Sequence, residues 1–156
     1  MSHDVDIQVF EGTDPVYEIA TEVFAAMIDG EPGFVRRWEG PVPAPVDELF
    51  AWVDVQGPMN GRVLLSTEHT TAIEVTRALL GLAPDDVVGH ADIVDALGEV
   101  ANVVGGNVKS LAPDHSALTL PEVSPERPST ADADLLHELA LDWRGRQLVI
   151  SLWKLP

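Results

Sequence analysis

A carboxylate and a carboxamide stand three residues apart in the stretch DALGEVANVVGGN, which covers residues 95–107. The stretch has helical periodicity, so Glu99 and Asn102 are expected one turn apart on the same face of a helix. Both side chains can therefore enter one partner surface together. The chain has no cysteine, so its chemistry must come from carboxylates, amides, hydroxyls or histidines. This pair is the first candidate for a functional site.

The helix face that carries the pair is unusual for solvent-exposed surface. At about 100° per residue, Asp95, Glu99, Asn102 and Gly106 lie opposite a buried apolar stripe. That stripe is predicted to contain Ile93, Leu97, Val100, Val104, Val108 and Leu111. Asn and Gly each cost roughly 0.5–1 kcal/mol relative to Ala in a helix interior, which indicates that the face serves something other than helix stability. An unspecialised polar stripe, with Glu99 supporting solubility and Asn102 tolerated, stays open as an alternative.

Small residues surround the pair and predict a shallow platform. Gly98, Ala101, Gly105 and Gly106 flank Glu99 and Asn102 with almost no side chain. The backbone of another protein could approach such a surface closely. We therefore expect these glycines to contact a partner, and we expect Leu at Gly105 or Gly106 to block the partner without unfolding the helix.

Composition and charge exclude several classes of function. The formal net charge is −17, from 26 acidic and 9 basic residues, which argues against binding to a phosphate backbone. The five histidines show no close pair with metal-ligand spacing, so no metal site is predicted. No apolar run approaches the ~20 residues that span a bilayer, and MSHDVDIQVF does not resemble a secretory leader. We expect a cytoplasmic protein with no membrane or nucleic-acid partner.

Hydrophobic patterning predicts one α+β domain over residues 1–156. A helix in DPVYEIATEVFAAMID precedes an edge strand near residues 35–38 and a hairpin around residues 57–61. A second helix ends at Gly81, and a third lies between Pro84 and Pro113. A strand in SALTLPEV, a polar loop and two strands joined at Arg144 and Gly145 follow. The helices are expected to pack on one face of a largely antiparallel sheet.

The predicted chain has two pseudo-repeated halves. Each half begins with a helix and continues into a meander of strands. Asp14, Glu18 and Thr21 in the first half have the spacing of Asp95, Glu99 and Asn102 in the second. The first helix thus repeats the acidic positions of the site without its carboxamide.

The sequence DALGEVANVVGGNVKSL resembles the signature helix of the CheC/CheX/FliY family of chemotaxis phosphatases. The family pattern is Asp or Ser, three residues, Glu, two residues and Asn, followed later by a proline; Asp95, Glu99 and Asn102 match it. Pro125 stands at the family's interval, whereas Pro121 in LTLPEV is the alternative, because the family's proline closes a strand of this kind. IATEVFAAMID and VDVQGPMNGRVLLS also resemble the CheX branch. The resemblance implies a CheC/CheX-like fold.

The resemblance also implies an activity and a partner. The substrate would be the phosphoaspartate of a CheY-like response regulator, which supplies its own Mg2+ and a lysine at the phosphoryl group, so this chain would bind no cofactor. Asn102 would be the catalytic carboxamide that positions the attacking water, and Glu99 would pair with the regulator's lysine. Asp95, Gly98, Gly105 and Gly106 would be partner contacts.

Other implications concern the number of sites and of subunits. Members with two sites carry Glu and Asn on both long helices, so Glu18 followed by Thr21 implies one site per chain. CheX relatives suggest a homodimer. Two rivals to a phosphatase remain: a non-catalytic module that binds a regulator, and an interaction domain that dimerises by its sheet edge.

Overall fold

Three helices pack on one face of a seven-stranded antiparallel sheet in the computed structural model, which describes residues 14–111 and 116–156. This is the predicted α+β architecture. The helices are α1 (Pro15–Phe24), α2 (His69–Leu80) and α3 (His90–Lys109). The strands are β1 (Val35–Arg37), β2 (Glu48–Gln56), β3 (Gly61–Glu68), β4 (Ala117–Leu118), β5 (Glu122–Ser124), β6 (Leu135–Trp143) and β7 (Arg146–Lys154).

The order of the strands relates the two halves of the chain. The sheet runs β1-β6-β7-β3-β2, and both β4 and β5 pair with the far side of β2. The hairpins β2–β3 and β6–β7 lie side by side through the β3–β7 pair. The short strand of the first half, β1, pairs with the β6–β7 hairpin of the second half. The short strands of the second half, β4 and β5, pair with the β2–β3 hairpin of the first half. This arrangement confirms the two pseudo-repeated halves.

Helix boundaries follow local signals, with one correction at the start of α3. Asp14 caps α1 by accepting from the N–H groups of Val16 and Tyr17, and Gly81 ends α2 in the left-handed conformation (φ 68°). The third helix begins at His90 and not near Pro84, because residues 84–88 form a turn and irregular chain. Pro113 lies outside the described residues.

The buried stripe of α3 is confirmed over most of its length. Ile93, Leu97, Val100 and Val104 are each at most 3% exposed and pack in the core that α1, α2 and the sheet share. Leu111, by contrast, is 51% exposed, because the helix ends before it. The stripe therefore fixes which side of α3 faces the sheet and which side faces solvent.

The segment predicted as one strand, SALTLPEV, is two short strands separated by Thr119, Leu120 and Pro121. The Thr119 hydroxyl accepts from the Asp54 N–H (2.9 Å), and the Thr119 N–H donates to the Asp54 carbonyl (2.9 Å). This side-chain bond replaces a backbone bond of the ladder, and Pro121 has no N–H to donate. The interruption places an irregular turn at the edge of the sheet, beside α3.

No helix among the described residues combines the length and the apolar character that crossing a membrane requires.

Candidate functional site

The candidate site is the outward stripe of α3, formed by Asp95, Glu99, Asn102 and Gly106. Asp95 and Glu99 are exposed, and Asn102 and Gly106 are half-buried. None of the three polar side chains has a hydrogen bond or ion pair with the described part of the chain. As far as the described residues are concerned, their donors and acceptors are therefore available to a partner. The apolar stripe on the other side of the helix packs in the core, so the side chains of Glu99 and Asn102 are carried by a well-packed element.

The edge of the sheet borders this stripe. An ideal Cβ at Gly98 would lie 3.6 Å from Cγ of Pro121 and 3.8 Å from Cγ2 of Val123. At about 100° per residue, Asn102 is turned about 40° from the Gly98 direction and Glu99 about 100°. Among the polar residues of the outward stripe, Asn102 is therefore the one nearest the sheet edge, and Glu99 points further into solvent.

Three of the four platform residues named from sequence, Gly98, Ala101 and Gly105, do not face solvent. All three are buried. A Cβ at Gly105 would overlap Cγ2 of Val53 and lie 3.6 Å from Cδ1 of Leu118. These glycines let α3 approach the strands closely, so the expectation that they contact a partner is corrected. Gly106 has no atom within 4 Å of its Cβ position and keeps its place on the open face.

The two candidate prolines differ in position. Pro121 packs against the Gly98 position, one residue from Glu99 along the helix. Pro125 is exposed, beyond the end of β5. Pro121 is thus the proline that the fold brings to the candidate site, where it closes the irregular turn beside α3.

The first helix does not reproduce the site. The Thr21 hydroxyl donates to the Glu18 carbonyl of its own helix (2.9 Å). Asp14 is a buried helix cap, whereas Asp95 is exposed inside a helix. The carboxylate of Asp14 also contacts His137 Nε2 (2.8 Å) and lies 3.8 Å from the Arg37 guanidinium. The residues that share this spacing in α1 and α3 therefore have different structural roles.

Sequence reasoning did not single out Leu120. Its side chain is 86% exposed, between Thr119 and Pro121 at the sheet edge. In the alternating run SALTLPEV, an exposed leucine cannot be distinguished from a core leucine by period alone. The one available signal was the adjacent proline, which interrupts a strand.

No group of three or more acidic or histidine side chains within residues 14–111 and 116–156 is arranged to hold a metal ion. His3 and His115 lie outside those ranges.

Comparison with known proteins identifies the family of this chain. The profile of the family described as "Chemotaxis phosphatase CheX" matches residues 49–137, more than half of the chain, and this span includes α3 and Pro121. No curated protein sequence matches the chain significantly.

Several solved structures share the fold. A chemotaxis protein CheX from Desulfovibrio desulfuricans is 21% identical with a TM-score of 0.68, over 90% of this chain and 97% of the other. A CheX from Vibrio vulnificus is 14% identical with a TM-score of 0.68, over 99% and 97%. The CheX-CheY-BeF3-Mg2+ complex from Borrelia burgdorferi contains a match that is 18% identical with a TM-score of 0.61, over 91% and 96%.

Because these structures are at most 21% identical to this chain, they show the shared fold alone. The family assignment is based on the profile match. The signature residues Asp95, Glu99 and Asn102 lie within the matched span, on the outward stripe of α3. The chain belongs to the CheX family of chemotaxis phosphatases.

Proposed function

We propose that this chain dephosphorylates the phosphoaspartate of a CheY-like response regulator. The observation that carries the proposal is the pair Glu99 and Asn102, unpartnered within the described chain and one turn apart on the open face of α3. Membership of a phosphatase family supports the reaction class. The Borrelia burgdorferi complex supports the partner class, because there a CheX is bound to CheY with BeF3 and Mg2+.

Asn102 is the proposed catalytic residue. Its carboxamide oxygen can accept a hydrogen bond from a water, while its NH2 group donates to the phosphoryl group or to the partner. Water then attacks phosphorus in line, the bond between phosphorus and the regulator's carboxylate oxygen breaks, and inorganic phosphate and free aspartate result. Phosphoryl transfer depends mainly on positioning and charge stabilisation, so a neutral amide held on a rigid helix is sufficient for this task.

Glu99 is the proposed docking residue. It is exposed and points further from the sheet than Asn102, so its carboxylate can reach a lysine of the regulator. The Mg2+ ion is assigned to the regulator, where it would neutralise phosphoryl charge. Asp95, exposed one turn before Glu99, would add negative charge to the same contact.

The test of the function is phosphate release from a phosphorylated receiver domain with excess Mg2+. Catalytic amounts of the chain should accelerate release over the receiver's own hydrolysis. Unchanged hydrolysis together with tight binding would favour the binding module over the enzyme.

The suggested homodimer stays a prediction, which light scattering of the purified chain would check.

Replacing Glu99 with Ala is expected to weaken binding to the phosphorylated regulator by about tenfold, because a charge-assisted bond contributes roughly 1.5 kcal/mol. Titration of a receiver domain loaded with beryllofluoride and Mg2+ measures the change. The thermal midpoint should stay near that of the parent, because Glu99 is exposed and makes no hydrogen bond or ion pair within the described chain. Equal affinities for the variant and the parent would remove Glu99 from the docking surface.

Replacing Glu18 with Ala is expected to leave turnover unchanged. Glu18 has the spacing of Glu99, but its neighbour Thr21 has no carboxamide, and the Thr21 hydroxyl is already bonded to its own helix. Glu18→Ala is therefore the matched control for Glu99→Ala, measured in the same assay. A large fall in turnover at an unchanged thermal midpoint would show that α1 carries a second working site.

A further inference from the structure

Leu120 is exposed between two residues that contact the body of the protein. The side chain is 86% accessible, and among the large apolar residues of the described chain only Val87 is more exposed. A single exposed leucine is ordinary on a protein surface. What distinguishes Leu120 is that both of its neighbours are fixed against the body of the protein.

The fixation comes from two independent contacts. On one side, Thr119 makes two hydrogen bonds to the backbone of Asp54, each 2.9 Å. The Asp54 carboxylate is in turn paired with Arg62 through bonds of 2.7 and 3.0 Å. On the other side, Pro121 has a restricted backbone and packs on the Gly98 position. The turn presents Leu120 in one place, which lowers the entropy that binding must remove.

The position of Leu120 along α3 follows from contacts on either side of it. Leu118 packs at the level of Gly105, and Pro121 packs at the level of Gly98. The segment therefore runs antiparallel to the helix, so Leu120 passes beside the turn that contains Ala101 and Asn102. Asn102 is also the member of the outward stripe that is nearest this edge. The backbone of Leu120 thus lies beside the helix turn that carries the carboxamide, and its side chain is exposed at this edge of the candidate site.

We propose that Leu120 is an apolar anchor that inserts into an apolar depression of the receiver domain, beside its phosphoaspartate. The inference rests on the proposed function and adds to it a residue that sets affinity and partner choice. Interfaces concentrate binding energy in a few central residues that fill well-packed pockets from which water is excluded. Leu120 supplies such an anchor next to the polar pair Glu99 and Asn102. A partner would need an apolar recess near the phosphoryl group and positive charge around it.

The experiment compares Leu120→Ala with a control at a second exposed apolar residue. Val87 is 90% exposed, in the chain before α3, and that helix starts about 18 Å along its axis from Asn102. Dissociation constants are measured for a panel of CheY-like receiver domains loaded with beryllofluoride and Mg2+. Phosphate release from the phosphorylated receivers gives the half-saturating concentration and the maximal rate.

Leu120→Ala should raise the dissociation constant and the half-saturating concentration by about tenfold, with a maximal rate within about twofold of the parent. Leu120→Met, which keeps most of the apolar volume, should restore most of the affinity. Val87→Ala should match the parent. Thermal midpoints should be nearly equal, because both residues are exposed.

Failure of the anchor can be told apart from failure of the function. Unchanged affinity in Leu120→Ala, while Asn102→Ala loses hydrolysis, overturns the anchor and leaves the phosphatase intact. If the parent binds receivers without hydrolysing them, the phosphatase is wrong and the dissociation constants still decide on Leu120. If the parent binds no receiver in the panel, both proposals are overturned.

Discussion

Asn102→Ala is expected to lower the catalysed rate of phosphoaspartate hydrolysis by roughly 10²-fold or more, about 3 kcal/mol of transition-state stabilisation. The loss follows from removing the group that orients water for in-line attack. Binding to the phosphorylated regulator should persist, because the main charge contact belongs to Glu99. The measurement is phosphate loss from a labelled regulator at saturating and subsaturating amounts of enzyme, with excess Mg2+.

The same helix provides a matched control in Asn107. This asparagine is exposed, five residues after Asn102, but its NH2 group already donates to the Val103 carbonyl (2.8 Å). Asn107→Ala should keep the parent rate. Neither substitution should unfold the domain, because surface changes usually stay near ±0.5 kcal/mol. If Asn102→Ala hydrolyses phosphoaspartate as fast as the parent, the catalytic assignment is wrong and the chain is a regulator-binding module.

The fold was predictable wherever side chains repeat with a clear period. The apolar positions of α3 defined its buried stripe, and that stripe in turn indicated that Glu99 and Asn102 face solvent. The hairpin turn at Arg144 and Gly145 was likewise predictable, since both residues take positive φ angles (54° and 85°). Each of these features depends on residues that are close together in the sequence.

Contacts between distant segments were not predictable in the same way. The interruption of SALTLPEV depends on a bond between Thr119 and Asp54, which are 65 residues apart in the chain. Leu120 lies in that interruption, between Thr119 and Pro121, where its side chain is exposed. The sequence could place an apolar residue there but could not assign it to the surface.

Glycine gave the least reliable prediction, for a physical reason. A small residue on a helix allows close approach, but the sequence does not say whether a partner or the protein's own sheet approaches. Gly98 and Gly105 lie under the edge of the sheet, and Gly106 faces open space. A turn of about 100° per residue separates Gly105 from Gly106, which is enough to reverse their roles.

Gly105→Leu is accordingly expected to destabilise the protein by about 2–3 kcal/mol, as overpacked cores do. A Cβ here overlaps Val53, which is fully buried in β2 and paired with Val63. Val53 is β-branched, so its χ1 angle has little freedom to move Cγ2 aside. The gain in helix propensity, up to about 1 kcal/mol, does not offset the overlap. For a chain of this size the thermal midpoint should fall by roughly 5–10 °C.

Gly106→Leu is the matched variant, with the same chemical change one residue later. No atom lies within 4 Å of its Cβ position, so its thermal midpoint should equal or slightly exceed that of the parent. Its leucine would project from the stripe of Glu99 and Asn102, so affinity for a beryllofluoride-loaded receiver should fall. Thermal melts and receiver titrations of both variants therefore give opposite patterns: one loses stability, and the other loses binding. A stable Gly105→Leu protein would mean that α3 can move away from β2, and an unchanged affinity in Gly106→Leu would mean that the partner does not approach this stripe.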